Sequence, residues 1–132
     1  MDNACKFILL NMKRRERIGY ISGKYTEDSY KKIQRHIKEH RTISIKLWKA
    51  GFTILSPILN TSYMEKENSI NYEDILTGDI QLIRRLDPKK DFLFMLPNWL
   101  SSKGARRERE EALKCGIKVF YNIRDLETWA DN

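Results

Sequence analysis

"DFLFMLPNWLSSKGARREREEALKCGIKVFY", residues 91–121, runs an apolar stretch into a turn, a charge-dense segment, a glycine and a second apolar stretch. "DFLFML" and "IKVFY" are short and rich in aromatic and branched residues, as buried strands are. Between them, Ser101 or Ser102 can cap a helix that Gly116 terminates, so the charged segment reads as a helix over about residues 103–115. A helix joining two buried strands is the crossover of a parallel sheet.

The same alternation continues outward. "RIGYISG" (17–23) is a strand ending in glycine, and "FTILS" (52–56) is a strand closed by Pro57. A helix from Thr26 or Asp28 to Gly51 lies between them, with Tyr30, Ile33, Ile37, Leu47 and Trp48 expected on its inner face. After a polar loop, "YEDILTGDIQLIRRL" (72–86) spaces Ile75, Leu76, Leu82, Ile83 and Leu86 as a helix does. Four strands separated by helices predict one α/β domain with a mainly parallel four- to five-stranded sheet covered by helices on both faces. Residues 1–16 form a basic N-terminal arm or extra element before the domain at 17–132. Ligands in this architecture bind beyond the C-terminal strand ends, here at 22–26, 56–63, 96–102 and 121–125.

Composition narrows the function classes. The 132 residues suffice for one core. No apolar run approaches the roughly 20 residues of a membrane span, and the start "MDNACKFILLNMKRRER" has no small-residue cleavage site, so a cytoplasmic protein is expected. Cys5 and Cys115 stand alone, as reduced thiols, without metal-ligand spacing. A net charge of +7 favours anionic partners such as nucleotides or phosphates. The cluster Lys13, Arg14, Arg15, Arg17 lacks interleaved aromatics, which argues for a solvated arm over a nucleic-acid patch.

Two acids stand where apolar residues are expected. On the 103–115 helix, Gly104, Glu108, Ala112 and Cys115 share a face, while Arg107, Glu111 and Lys114 point away. Glu108 therefore sits among small residues with room for a ligand, or else pairs with Arg109 or Arg85. Asp79 interrupts the apolar stripe of the preceding helix, four residues after Ile75 and three before Leu82. A buried carboxylate needs a partner or a purpose. Two inward acids on neighbouring helices suit glycosidic chemistry, one attacking or stabilising the anomeric carbon and the other handling protons. "HIKEH" (36–40) matches an inverted zinc-protease spacing, but its basic surroundings and lack of a third ligand favour an exposed amphipathic helix far from the strand exits, with no metal and no cofactor.

Taken together, Tyr20-Ile21-Ser22-Gly23, Leu47-Trp48-Lys49-Ala50-Gly51, Ser56-Pro57-Ile58-Leu59-Asn60-Thr61, Tyr72 to Asp79, Leu96-Pro97-Asn98-Trp99 and Ser102 to Ala112 form a set of motifs. In these the chain resembles the nucleoside 2-deoxyribosyltransferase-like superfamily, especially its small bacterial and phage branch, over residues 17 to 121. The resemblance implies a Rossmann-like or flavodoxin-like fold and a glutamate nucleophile, Glu108, that forms a glycosyl-enzyme intermediate. It implies that Asp79 and Asp91 hold the sugar or protonate the leaving base, Asp91 being preferred to Asp87 because it starts the strand. Tyr20, Ser22 and Gly23 would form the first loop, with Asn60, Trp99, Ser102 and Gly104 also lining the substrate site and Trp99 either stacking on a base or packing on the helix start. Lys24, Arg106, Arg107 and the Ser101-Ser102 helix start would hold a 5′-phosphate. Lys24, Ile58 and Asn98 stand where that branch commonly has proline, histidine and glycine. The expected function is cleavage or transfer of the N-glycosidic bond of a nucleotide or nucleoside by a homo-oligomer, dimer or tetramer. Non-catalytic nucleotide binding is the alternative, and nucleic-acid binding is a third and weaker one.

Overall fold

A computed structural model describes residues 2–67 and 70–132. Its four strands are β1 (Ile18–Ser22), β2 (Thr53–Leu55), β3 (Phe92–Met95) and β4 (Lys118–Phe120), and its helices are α1 (Asn3–Arg15), α2 (Tyr30–Lys49), α3 (Pro57–Thr61), α4 (Tyr72–Arg84), α5 (Lys103–Lys114) and α6 (Ile123–Ala130). The sheet is wholly parallel in the order β2-β1-β3-β4. This is the Rossmann-like, flavodoxin-like arrangement expected from the strand–helix alternation. The chain leaves β1 towards one edge and β3 towards the other, so a crevice opens between their C-terminal ends.

Side-chain alternation along β1 and β3 divides the core in two. Tyr20, Leu93 and Met95 face α4 and α5, joined by Ile80, Ile83, Ala105 and Ala112. Ile21, Phe92 and Phe94 face the other way, against Leu47 of α2 and Leu126 and Ala130 of α6. Polar caps fix where the helices begin: Ser29, Asn71, Ser102 and Asn122 each accept a hydrogen bond from a backbone N–H in the first turn. Gly51 and Gly116 end α2 and α5 with φ of 103° and 74°, a region costly for other residues.

Three helices lie where the periodicity gave none. α3 occupies the expected polar loop, α6 follows "YNIRD" directly, and residues of the basic arm form α1. Within that arm, Arg14 pairs with Glu127 and Asp131 of α6 and donates to the Ala50 carbonyl, while Arg17 lies over the Trp129 ring. These arginines tie the terminal elements to the sheet instead of standing in solvent.

The inner face of α2 also differs from expectation. Tyr30 and Trp48 are 54% and 43% exposed, whereas His36, His40, Ser44 and Leu47 are buried. Spacings of four, four and three place these four residues on one stripe; loop atoms meet His36 and His40, and Ser44 Oγ donates to the His40 carbonyl within the helix.

Candidate active site

Ser102 sets the register of α5 by accepting from the Ala105 N–H. That register turns Gly104, Ala105, Glu108 and Ala112 inward. Glu108 then lies over β1, where alternation presents Tyr20 and Ser22 on the same side. The Tyr20 hydroxyl donates to one Glu108 oxygen, and Ser22 Oγ donates to the other at 2.9 Å. Neither Arg85 nor Arg109 pairs with Glu108: they bond to the Gln81 carbonyl and the Tyr121 hydroxyl.

α4 supplies the second acid. Its inner stripe is Tyr72, Leu76, Asp79 and Ile83, and Asp79 is buried. The two helices approach closely because residue 104 is glycine; a Cβ there would collide with the Tyr72 hydroxyl.

No cation offsets this pair of acids among the described residues. Burial lifts the Glu108 carboxyl to about 8, with Asp79 adding to the rise and the Tyr20 and Ser22 hydroxyls opposing it. Burial also lifts Asp79 to about 6. At neutral pH the pair therefore holds about one proton. In the empty cleft that proton rests chiefly on Glu108, the higher of the two, while the Tyr20 and Ser22 hydroxyls favour the Glu108 anion once the proton is drawn off.

Two cavities meet at this point. The inner one, about 30 Å³, is lined by Asp79, Glu108, Gly23, Leu76, Ile58 and Thr61. The outer one, about 520 Å³, is lined by Lys24, Thr26, Ile33, Ser101 and Lys103. Tyr25, Glu65, Tyr72, Ser102 and Gly104 wall both. The outer volume falls within the roughly 300–1,000 Å³ typical of small-molecule sites, and the inner one has room for about one or two waters.

Of the residues expected at the site, Glu108, Asp79, Tyr20, Ser22, Gly23, Lys24, Ser102 and Gly104 come together here. Asp91, Asn60, Trp99, Arg106 and Arg107 do not. Asp91 stands at the opposite end of the sheet, where its oxygens accept from the backbone N–H groups of Ile18 and Asp87 at 2.9 and 2.7 Å. It joins two strand entrances and cannot reach Glu108. Asn60 is exposed on α3, while its neighbours Ile58 and Thr61 line the cavity. Trp99 packs beside Tyr121 with Arg109 over its ring, 4.9 Å from the ring centre, and borders neither cavity. Arg106 and Arg107 lie outside both cavities as well, Arg107 being 3.7 Å from Glu73.

Sequence reading missed Tyr25, Glu65 and Tyr72. Tyr72 had a usable signal, since it precedes Asp79 by two turns on one face of α4. Tyr25 follows the first strand exit directly. Glu65 had none, because a turn between loosely patterned segments places it.

The histidines of "HIKEH" are buried anchors for the cleft loops, not members of an exposed helix face. His36 Nε2 lies 2.9 Å from Glu27 and its Nδ1 3.3 Å from the Asn98 amide nitrogen. His40 Nε2 lies 3.3 Å from the Lys24 carbonyl. Burial depresses His40 to about 4, so its ring is neutral and Nε2–H donates. Asn98 accepts from the Lys24 N–H at 3.0 Å and donates to Glu39 at 2.8 Å. Glu27 also accepts from the Lys24 ammonium at 3.3 Å. Among the described residues no three His, Cys, Asp or Glu side chains group as metal ligands.

No described helix is long and apolar enough to cross a membrane. No curated protein and no solved structure matches the chain. A family model does, over residues 18–121, from the start of β1 to just past β4, so that α5, α4 and both cleft loops lie inside the matched region. The chain therefore belongs to the family described as a domain of unknown function, DUF4406.

Proposed function

We infer that the protein cleaves the N-glycosidic bond of a nucleoside 5′-monophosphate. The observation that carries this reading is the buried pair Glu108 and Asp79, uncompensated by any cation, beside a cavity of nucleotide size. Keeping two carboxyls out of water costs stability that a purely structural role would not require.

In this reading the phosphate lies by Lys24, Lys103, Ser101 and Ser102 at the start of α5, where charge and the helix dipole both favour an anion. Tyr72 turns aside to admit the pentose, since the inner cavity alone is too small for it. As the sugar binds, the proton that rests on Glu108 passes to Asp79, and the freed Glu108 carboxylate attacks the anomeric carbon as the bond to the base breaks. The bonding pair leaves with the base nitrogen, which takes the proton of Asp79. Water then adds at the anomeric carbon, gives a proton back to Asp79 and releases Glu108, leaving free base and sugar 5′-phosphate.

The resemblance to nucleoside 2-deoxyribosyltransferase-like proteins points the same way. It also suggests a homo-oligomer, for which α1 offers exposed Phe7, Ile8, Leu9 and Met12. Light scattering on the eluted protein reads the assembly. The activity test is incubation with ribo- and deoxyribonucleoside monophosphates, following free base by chromatography. Release that Glu108→Gln abolishes supports the reading; no release from any of them removes it.

A further inference from the structure

One carboxylate in the cleft has no part in that mechanism. Glu65 belongs to a 3-10 turn, Met64–Lys66, and borders both cavities. Its Oε1 accepts from the Tyr25 hydroxyl at 2.7 Å, and that hydroxyl in turn accepts from the Tyr63 N–H at 2.8 Å. No hydrogen bond or ion pair engages Oε2 among the described residues.

The turn is held on its other side too. Tyr63 takes a left-handed φ of 66°, rare for a side chain of that size, and its ring stacks on Tyr30 with centroids 5.6 Å apart. The Lys66 ammonium lies over both rings, 4.7 and 5.2 Å from their centres, and so does not neutralise Glu65. A carboxylate fixed at a cavity wall with a lone pair to spare is an acceptor prepared for a ligand N–H.

The outer cavity thus carries charge of both signs, Lys24 and Lys103 against Glu65, with tyrosine rings in the same wall. An anionic phosphate is drawn to the lysines and repelled by Glu65. What Glu65 can receive is a neutral part of the same ligand that offers N–H. We propose that Glu65 selects nucleotides whose base carries an exocyclic amino group, discriminating against bases with a carbonyl at that position. This rests on the monophosphate reading and adds the substrate class to it. A carbonyl oxygen facing the carboxylate leaves two acceptors opposed, a mismatch that binding cannot relieve without water or movement.

Matched amino and oxo pairs test it: cytidine against uridine 5′-monophosphate, and adenosine against inosine 5′-monophosphate. Affinities are measured by calorimetry on the intact chain, independently of turnover. We expect the amino member of at least one pair to bind about 10-fold or more tightly than its oxo partner. Glu65→Gln should erase or invert that preference, because its amide can donate to a carbonyl. Tyr25→Phe, which keeps the carboxylate but removes its anchor, should weaken the preference in part.

Equal affinities within both pairs, or a preference that Glu65→Gln leaves intact, would overturn the proposal while the glycosidase reading stands. Amino preference without base release would uphold the proposal and sink the glycosidase reading. Binding of none of the four would remove both.

Discussion

Asp91 and Glu108 are both buried acids, and the sheet separates them. Asp91 sits at the strand entrances and accepts from two backbone N–H groups, those of Ile18 and Asp87. Glu108 sits at the strand exits, accepts from two side-chain hydroxyls and lies near a second acid. The backbone donors at Asp91 are fixed by the fold and need an acceptor whatever the protein does. The hydroxyls at Glu108 come from the side chains of Tyr20 and Ser22, which the fold's backbone bonding does not call for. Burial alone does not mark a site; the nature of the donors and the neighbouring charge do.

Replacing each acid separates these roles. Glu108→Gln keeps the size, with one hydroxyl donating to the amide oxygen and the other turned to accept from its NH2, and removes the nucleophile. Base release should fall on the order of 10³-fold or more, with a thermal melt near neutral pH at or above wild type, since the core no longer has to hold a carboxyl in its protonated form. Asp91→Ala should do the reverse. Two backbone donors lose their acceptor, costing about 2–3 kcal/mol of stability by urea denaturation while ligand affinity stays as it was. A large loss of affinity in Asp91→Ala with stability intact would break the contrast.

Two buried groups near the strand exits should also answer pH in opposite senses. Glu108 is lifted to about 8 in the folded chain, so between its unfolded value and 8 the native state binds the extra proton. Stability from this group is present at low pH and is lost as pH rises towards 8. His40, depressed to about 4, works in the opposite sense: its share is present above its unfolded value near 6.5 and lost as pH falls towards 4. Above about 6.5 the Glu108 effect stands apart from that of His40. Melting temperature should therefore fall from pH 6.5 to 8, and Glu108→Gln should flatten that fall. An unchanged slope in the variant would place the titrating group elsewhere.

Much of this was legible in the residues, for identifiable reasons. The 91–121 run gave β3, α5 and β4 because apolar strands and a capped amphipathic helix each carry their own periodicity. Glu108 and Asp79 stood out because an acid at a core position violates that periodicity. Asp91 was misplaced by the resemblance, which implied a catalytic acid there, although its place at the start of the 91–96 strand already put it at the end of the sheet away from the strand exits. α2 was misread because its buried stripe is polar at His36, His40 and Ser44, and hydrophobic periodicity cannot register a histidine that a loop carbonyl satisfies. Glu65 escaped because only the folded turn brings it to Tyr25.

The smallest effect we expect probes how that polar stripe supports the cleft. Asn98 takes the Lys24 N–H and donates to Glu39, with His36 alongside, so it fixes the first exit loop to the third. Its substitution by alanine removes the tie without touching either cavity wall. Lys24 keeps its ammonium contact to Glu27 and its carbonyl contact to His40, so the loop should loosen without unfolding. Monophosphate affinity should drop about 3- to 10-fold and the maximal rate of base release should hold, since the lost bond that bears on the cleft loop, from the Lys24 N–H, is worth roughly 1 kcal/mol. A free nucleoside, lacking the phosphate, should show no change in affinity. If instead the maximal rate fell as far as the affinity, Asn98 would be supporting Glu108 and Asp79 themselves, and the division between a binding mouth and a reacting floor would have to be redrawn.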